Sequence, residues 1–595
     1  MEQLHHNGVL VPPSYKGSGL TVRVRDEIVV LNDEQEEQAM AWAKKIGTPY
    51  VEDTIFAKNF HEDFSKVLGV KVLPGDVDFI PVYREVEAER EWKAGLSKEE
   101  RKAQAAQRKE VRETNKEKYG WATVDGELME IGNYTVEPSS IFMGRGKHPK
   151  RGMWKEGPRH EDIELNLSPD APRPPGDWKE IVWEPDSMWI ARWRDKLSGK
   201  MKYVWPSDAS MLKQQKDIEK FDKARDLRGI LPDIKRHIEE NLGHEDLKRR
   251  KTATVTFLID HCKFRVGDEK DEDEADTVGA STLRQEHLKF NGDGTVTFDF
   301  LGKDSVRQNI CVEVPEQIII NLKDFSSDPE LPLFEGVDSK RVSQFLDEVY
   351  PGLSAKVFRT HYASTAVESQ LRKSRVDTEA PDYRKKHIAT MANLEAAKVC
   401  NHKRTIPRTW ESSLQRKKDR LEARRVKAKD NQRKLRLKSR ETERKYGEKL
   451  EKYKQKLGEQ EVKLEEYLSQ LKIREEQGKS VVGLQKRIAS KRKAITTQGD
   501  RIRKLKASHK QRMAKLERQM ERTRERDRQA IEKLELQIEA QEETRDYNLG
   551  TSLKSYVDPR IYYDWSRRVE FDWRKYYSKT LQRKFSWVED EAPVA

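Results

Sequence analysis

Residues 411–545 contain no proline, and their apolar residues recur at helical seam spacing. In the first half the seam runs Tyr446, Leu450, Tyr453, Leu457, Leu464, Leu468 and Leu471. In the second half it runs Leu484, Ile488, Ile495, Ile502, Leu505, Met513, Leu516 and Met520. A heptad-like stripe this narrow is buried by packing on a partner helix. Near the midpoint, "EEQGKSVVG" (475–483) supplies two glycines and predicts a turn. Two antiparallel arms of ~65 residues would each reach ~100 Å at 1.5 Å per residue. Such a hairpin returns the chain to where it left, so residues after about 546 are expected beside residues before about 410.

The same segment is strongly basic, with 42 lysines and arginines against 24 aspartates and glutamates. That excess of 18 exceeds the +13 of the whole chain, so the remainder is slightly acidic. Charged residues make up 37% and apolar residues 35% of the 595, so much of the chain cannot be core. The basic excess predicts a polyanionic partner, nucleic acid or anionic membrane. No stretch approaches a membrane span, and "MEQLHHNGVLVPPSYKG" has no hydrophobic signal core. The expected location is therefore intracellular. Three scattered cysteines, Cys262, Cys311 and Cys400, argue against structural zinc and against a disulfide framework. No Gly-x-x-x-x-Gly-Lys-Ser/Thr loop is present, so no P-loop ATPase is expected.

Four regions follow in order: 1–210, 211–410, the rod at 411–545, and 546–595. In the first, "LTVRVRDEIVVL" and "SMWIARWRDKLSGKMKYVW" read as strand pairs. "EEQAMAWAKKIG" reads as a helix closed by Gly47. Residues 86–118 read as exposed helices broken at "GLSKEE", with Ser97 as N-cap and Glu100 completing a capping box. In the second, "KTATVTFLIDHCKFRVG" (251–267) is ambiguous, since β-branched residues favour a strand while its length and flanks allow a buried helix. "HLKFNGDGTVTFDFLGKDSVRQNICVEV" reads as three strands, with Lys303 at the second hairpin tip. In the last, Gly550 is expected to end the rod, Thr551 or Ser552 to cap a short helix, and Asp558-Pro559 to start the next.

Metal ligands are scarce. "DEKDEDEAD" (268–276) is dense in carboxylates but lacks the spacing and glycine turn of a calcium loop, so it reads as an exposed acidic loop. "GRGKHPKRG" (144–152) reads as a basic loop suited to phosphate contact through Arg145, Lys147, Lys150 and Arg151. Four further cations, Arg265, Lys303, Arg359 and His402, stand in otherwise ordered segments, and spacing alone does not connect them.

Several motifs do. "FRVGDEKDEDEADTVGASTLR", "VTFDFLGKDSVR", "LSAKVFRTHYAS", "VCNHKR" and "LGTSLKSYVDPRI" together resemble the eukaryotic-type DNA topoisomerases IB. "MGRGKHPKRG" resembles that family's cap segment and the rod its linker, so the resemblance covers nearly the whole chain in order. It implies an α+β multidomain DNA clamp. The parts would be a mixed α/β cap lobe, a mainly helical catalytic lobe with a small antiparallel sheet, a long antiparallel coiled-coil linker and a small helical C-terminal domain. It implies Tyr556 as the nucleophile, with Arg265, Lys303, Arg359 and His402 completing the active site. Two arginines and His402 can donate to the non-bridging oxygens of a phosphodiester, and Lys303 can protonate the departing 5′ oxygen. No metal and no ATP would be needed, because a cationic cluster meets the charge and a 3′-phosphotyrosine keeps the bond energy. DNA contacts implied are Arg145, Lys202, Tyr203, Lys220, Val266, Asp268, Lys270, Thr277, Asp304, Ser354, Lys356 and Thr551. The implied partner is supercoiled double-stranded DNA, bound by a monomer without cofactors, and a camptothecin-type inhibitor could occupy the cleavage complex.

The sequence departs from the family at the nucleophile. Where Ser-Lys-Leu-Asn-Tyr is usual, this chain has Ser552, Leu553, Lys554, Ser555 and Tyr556, so the lysine is displaced and the asparagine absent. The family lysine's role does not carry over, and Ser555 alters the pocket for camptothecin-type molecules. The short N-terminus without a basic localisation tract suits an archaeal member on nucleoid DNA, with the nucleus as the alternative. Two other readings use the same residues: a tyrosine recombinase, and an architectural coiled coil in which Tyr556 is only packed. The cap-like segment and the rod argue against the first, the ordered cationic set against the second.

Overall fold

A computed structural model describes residues 1–144, 146, 148–268, 277–303, 306–326 and 331–591. The fold is mixed α+β and mostly helical, with small sheets that are antiparallel except for one parallel pair. It divides into two compact units, one formed by residues 1–379, 388–405 and 547–595, the other by residues 380–387 and 406–546.

In the first unit, residues 1–206 build two small cores. One gathers Trp42, Phe56, Phe60, Phe64 and Phe79 beneath the hairpin Thr21–Val24/Glu27–Val30. The other packs Leu4, Ile163, Leu165, Ile190 and Trp193 around a four-stranded sheet that ends in Ala191–Arg194 and Met201–Val204. Ser97 caps the helix Lys98–Tyr119 in a capping box with Glu100, and no residue of that helix is buried. The helix over "EEQAMAWAKKIG" stops earlier than expected, at Ala43, and Gly47 takes a positive φ in the turn beyond it.

The ambiguous segment is a helix, Leu247–His261. Its threonines point inward, and the hydroxyls of Thr252, Thr254 and Thr256 donate to the carbonyls four residues back, at 2.7, 2.9 and 2.8 Å. Burial of both its hydroxyls and its Val255, Leu258 and Ile259 side chains overrides the strand preference of β-branched residues. Three antiparallel strands, Leu288–Phe290, Thr295–Gly302 and Val306–Glu313, follow as the sequence predicts. The turn between the latter two carries Lys303.

The helices Met211–Asn241, Ala355–Lys373 and Asp382–Val399 and the chain end share one core. Tyr556, Val557, Tyr562, Trp565, Trp573, Tyr577, Phe585 and Trp587 pack on Phe221, Ala363, Val367, Ala389, Ala392 and Cys400. A bridge between Lys403 and Tyr547, and the Asn548 amide on the His402 carbonyl at 2.7 Å, stitch the two segments together.

The second unit is the hairpin. Helices Trp410–Glu476 and Val482–Glu543 pack along their length, with Gly478 at φ +65° in the turn. Every predicted seam residue is buried or half-buried. The seam also holds polar pairs that fix its register. Buried Asp527 takes Arg424 at 2.7 Å and Asn431 at 3.1 Å, and Tyr446 stacks on His509 at 3.7 Å. The end of the second helix returns to the start of the first, where Gln541 donates to the Trp410 carbonyl. No described helix is long and apolar enough to cross a membrane.

Candidate active site

Two helix ends place the cations. The helix Leu247–His261 stops at Lys263, which takes the left-handed conformation at φ +60°, and Arg265 follows two residues later. The helix Asp382–Val399 stops the same way. Asn401 is left-handed at φ +49°, its amide donates to the Lys398 carbonyl, and the His402 amide reaches the Ala397 carbonyl at 2.8 Å. That is a Schellman stop, with asparagine in the place glycine usually fills. His402 is thereby turned back over its own helix end.

The loop carrying Arg265 is held by a tight backbone pair. The amides of Ala280 and Ser281 donate to the carbonyls of Arg265 and Val266, both at 2.8 Å. A Cβ added at Gly279 would meet the Gly267 Cα at 2.5 Å, so this approach requires glycine. Arg359 comes from the second turn of Ala355–Lys373, and only 5% of it is exposed. Its guanidinium donates to the Lys263 carbonyl, to the Cys400 carbonyl at 2.7 Å and to His402 Nε2 at 3.0 Å. Its Nε is buried without a partner. Neither Arg265 nor Arg359 is paired with a carboxylate among the described residues.

Tyr556 ends the short helix Leu549–Ser555 and is 5% exposed. Arg265 Nη1 donates to its hydroxyl at 3.1 Å. The Arg359 guanidinium lies 5.3 Å from its ring centre, and the His402 ring lies 5.0 Å away, tilted by 39°. Ser364 brackets its backbone, donating to the Tyr556 carbonyl at 3.2 Å and accepting from the Asp558 amide at 3.0 Å. In front lies a cleft of about 140 Å³ lined by Arg265, Lys303, Arg359, His402 and Thr551, among others. The structure thus brings all five expected catalytic positions to one place.

His402 differs from expectation in one respect. A guanidinium can only donate, so Nε2 accepts from Arg359 and the ring proton sits on Nδ1, which donates to Ser552 Oγ at 2.7 Å. Burial, then the charges of Arg359 and Arg265, lower its pKa to about 3. The unbound protein therefore holds a neutral imidazole whose donor faces Ser552. In NMR of the unbound protein, the His402 ring nitrogens are expected to stay in the Nδ1–H form from pH 8 to pH 5. A midpoint near 6.5 would refute this. Because the folded pKa is depressed, the unfolded chain takes up the proton first, and this group erodes stability as pH falls from 6.5 towards 3.

The chain end reads differently from expectation in two places. The rod stops at Glu543, and Gly550 lies inside the short helix, which Asn548 caps by accepting from the Thr551 amide at 3.3 Å. Asn548 wins because the chain must first bridge Lys403 through Tyr547. Ser552 is freed to hold His402, a role that no spacing in the sequence signals. Asp558 and Pro559 do start the next helix, as cap and first residue.

The remaining expected DNA contacts are distributed. Thr551 lines the cleft. Val266 and Thr277 are half-buried nearby, and exposed Asp268 accepts from the Ser339 amide at 2.8 Å. Ser354 precedes the helix that carries Arg359, and Lys356 is exposed on its first turn. Lys202 and Tyr203 lie on the strand Met201–Val204, Tyr203 exposed and 5.1 Å from the Trp205 ring. Lys220 is tied to Asp217 at 2.6 Å and lies over Phe221, so it is not an open surface cation. Arg145, Lys147, Lys270, Asp304 and the acidic stretch 269–276 lie outside the described residues.

Three parts of the chain match described families. Residues 1–206 match the eukaryotic DNA topoisomerase I DNA binding fragment, residues 209–435 its catalytic core, and residues 528–593 the C-terminal topoisomerase domain. The chain is 33% identical to DNA topoisomerase 1 beta of Arabidopsis thaliana over 603 residues, 99% of this chain and 58% of that one. It is 32% identical to DNA topoisomerase 1 of Daucus carota, covering 72% of it, and 32% identical to that of Candida albicans, covering 79%. The chain thus spans little more than half the length of the Arabidopsis relative. These relatives are plant and fungal, and they lend the archaeal expectation no support. With two arginines around a buried tyrosine and matches to three topoisomerase family models in chain order, this chain belongs to the eukaryotic DNA topoisomerase I family.

Proposed function

We propose that this chain is a type IB DNA topoisomerase, an isomerase that relaxes supercoiled double-stranded DNA by transient cleavage of one strand. The observation that carries the reading is the pair of arginines at Tyr556, Arg265 on its hydroxyl and Arg359 with a buried, unpartnered Nε. Cationic donors that have no carboxylate partner among the described residues suit a phosphodiester.

In the proposed reaction Tyr556 Oη attacks phosphorus and its proton leaves to solvent. The bond to the 5′ oxygen breaks, Lys303 protonates that oxygen, and a 3′-phosphotyrosine remains. Rotation of the free strand and the reverse reaction restore the duplex. Each step exchanges one phosphoester for another, so no ATP is consumed. A phosphate oxygen drawing Arg359 forward would release His402 Nε2, and the added negative charge would favour its protonation as the third donor.

Residues 1–210 would act as the cap lobe, 211–410 as the catalytic lobe, 411–545 as a linker and 546–595 as the carrier of the nucleophile. The lobes would clamp the duplex as a monomer. Lys202, Tyr203, Lys356 and Thr551, with Arg145, Lys270 and Asp304, would hold phosphates and read little sequence. A camptothecin-type inhibitor would meet Ser555 in the cleaved complex. Chromosomal DNA, in the nucleus by analogy with the eukaryotic relatives, is the proposed location.

The test is negatively supercoiled plasmid incubated with the protein, EDTA and no ATP, then quenched with detergent. Relaxed topoisomers and a nicked species with protein on its 3′ end are expected. Unchanged supercoils, or protein on a 5′ end, would sink the reading. The basic rod is proposed to lie over DNA and slow rotation through phosphate contacts. Tyr446 on His509, and Gln498 on the Tyr453 carbonyl, set a register in which Arg433 faces a residue near Arg522. Removing residues 434–521 between those points should speed relaxation and flatten its salt dependence. Unchanged kinetics would exclude a braking role.

A further inference from the structure

Lys263 is an unusual residue for the place it occupies. It is the left-handed stop of the helix Leu247–His261, where a Cβ is unfavourable and glycine is the common choice. Its side chain folds back rather than extending to solvent. Its Nζ donates to the Asp260 carbonyl, one of the open carbonyls of the helix end, and stands 3.3 Å from the centre of the Tyr362 ring. The Tyr362 hydroxyl in turn donates to Asp260 Oδ1 at 2.5 Å, and Asp260 is buried. The cation is thus clasped between an aromatic face and a helix end, while the nearby carboxylate is taken by the tyrosine.

The clasp has a geometric consequence. Lys263 presents its own carbonyl to Arg359 Nη1, and two residues later the same loop delivers Arg265 to the Tyr556 hydroxyl. Tyr362 lies three residues after Arg359 on Ala355–Lys373, so the clasp joins the two elements that carry the two arginines. A helix cap alone would need none of this, since glycine fills a left-handed stop without strain. Burial lowers the Lys263 ammonium to about 8, against the opposing pull of the Asp260 charge.

We propose that Lys263 is a positioning residue: its side chain, clasped by Tyr362 and Asp260, fixes the carbonyl that aims Arg359 at the scissile phosphate. This rests on the reading of the chain as a type IB topoisomerase.

The test is single-turnover cleavage of a duplex oligonucleotide by the full chain carrying Lys263→Gly. Glycine accepts the left-handed backbone, so the variant is expected to fold, with an unchanged melting temperature as the check. Cleavage should slow roughly 10- to 100-fold, the scale of a small misplacement of a reacting group, while DNA affinity stays within about twofold. Lys263→Arg, which keeps a cation over the ring, should recover most of the rate. On an oligonucleotide with a methylphosphonate at the scissile position, where Arg359 has less charge to neutralise, the penalty should shrink to under about threefold. Wild-type rates in Lys263→Gly, an equal loss on both substrates, or a loss lying wholly in affinity would each overturn the proposal. Failure of the wild-type chain to cleave would instead strike at the topoisomerase reading itself.

Discussion

Tyr556→Phe is expected to abolish relaxation and covalent capture of DNA while leaving the fold and DNA binding intact. The phenyl ring keeps the packing that Tyr556 makes beside His402 and Arg359 and within the core of Val557, Tyr562 and Trp565. What disappears is one hydroxyl, which accepts from Arg265 at 3.1 Å. Loss of that bond should cost about 1 kcal/mol of stability, a net value for a bond whose donor still reaches the open cleft. The chemistry has no such substitute. Among the described residues lining the cleft only Thr551 carries a hydroxyl, and the neighbouring Ser552 is fully buried on His402. A fall in activity of at least about 10⁴-fold is expected, comparable to losing a nucleophile in other covalent enzymes. Relaxation that survives in the variant, measured on the plasmid with EDTA, would remove Tyr556 from its role.

Arg359→Lys should be nearly as damaging, although it conserves charge. The guanidinium makes three simultaneous contacts, to two carbonyls and an imidazole, and keeps a fourth donor in reserve. A lysine has one nitrogen and cannot span the Lys263 and Cys400 carbonyls while also meeting a phosphate oxygen. It would also leave His402 Nε2 without its donor. The expected loss in single-turnover cleavage is about 10²- to 10³-fold, the range seen when one preorganised donor to a developing anion is removed. Because Arg359 is buried, part of the effect will appear as lost stability, so melting must be followed alongside. A lysine variant that cleaves within about fivefold of wild type would show that charge alone suffices.

The rod and the three-stranded sheet were legible because their signals are local. A seam, a glycine turn and an alternating run need only neighbouring residues. The helix Leu247–His261 was not, since its inward threonines are satisfied by carbonyls four residues back and its burial is set by distant strands. The four cations and the tyrosine were found through motif resemblance, and the structure gathers the cations at one cleft with Tyr556 against Arg265, Arg359 and His402. What resemblance did not carry was their orientation. That His402 faces Arg359 as an acceptor, that Ser552 holds it, and that Lys263 and Cys400 contribute carbonyls all arise from two left-handed helix stops made without glycine. Positive φ at a lysine has no sequence signature. The displaced lysine at the nucleophile is now placed: Lys554 pairs with Asp208 at 2.9 Å, on the segment leading into Met211–Asn241.

The shared core of the last 40 or so residues with the helices before the rod also sets a schedule during synthesis. His402 leaves the ribosome about 150 residues before the helix that carries Tyr556, a delay of roughly 8–30 s at ordinary elongation rates. Through that interval the faces of Ala363, Val367, Ala389 and Ala392 lack the aromatic cluster that finally covers them. The nascent chain accordingly exposes that apolar face while its rod is being made, and Tyr556 meets Arg265 and Arg359 only once the final segment docks.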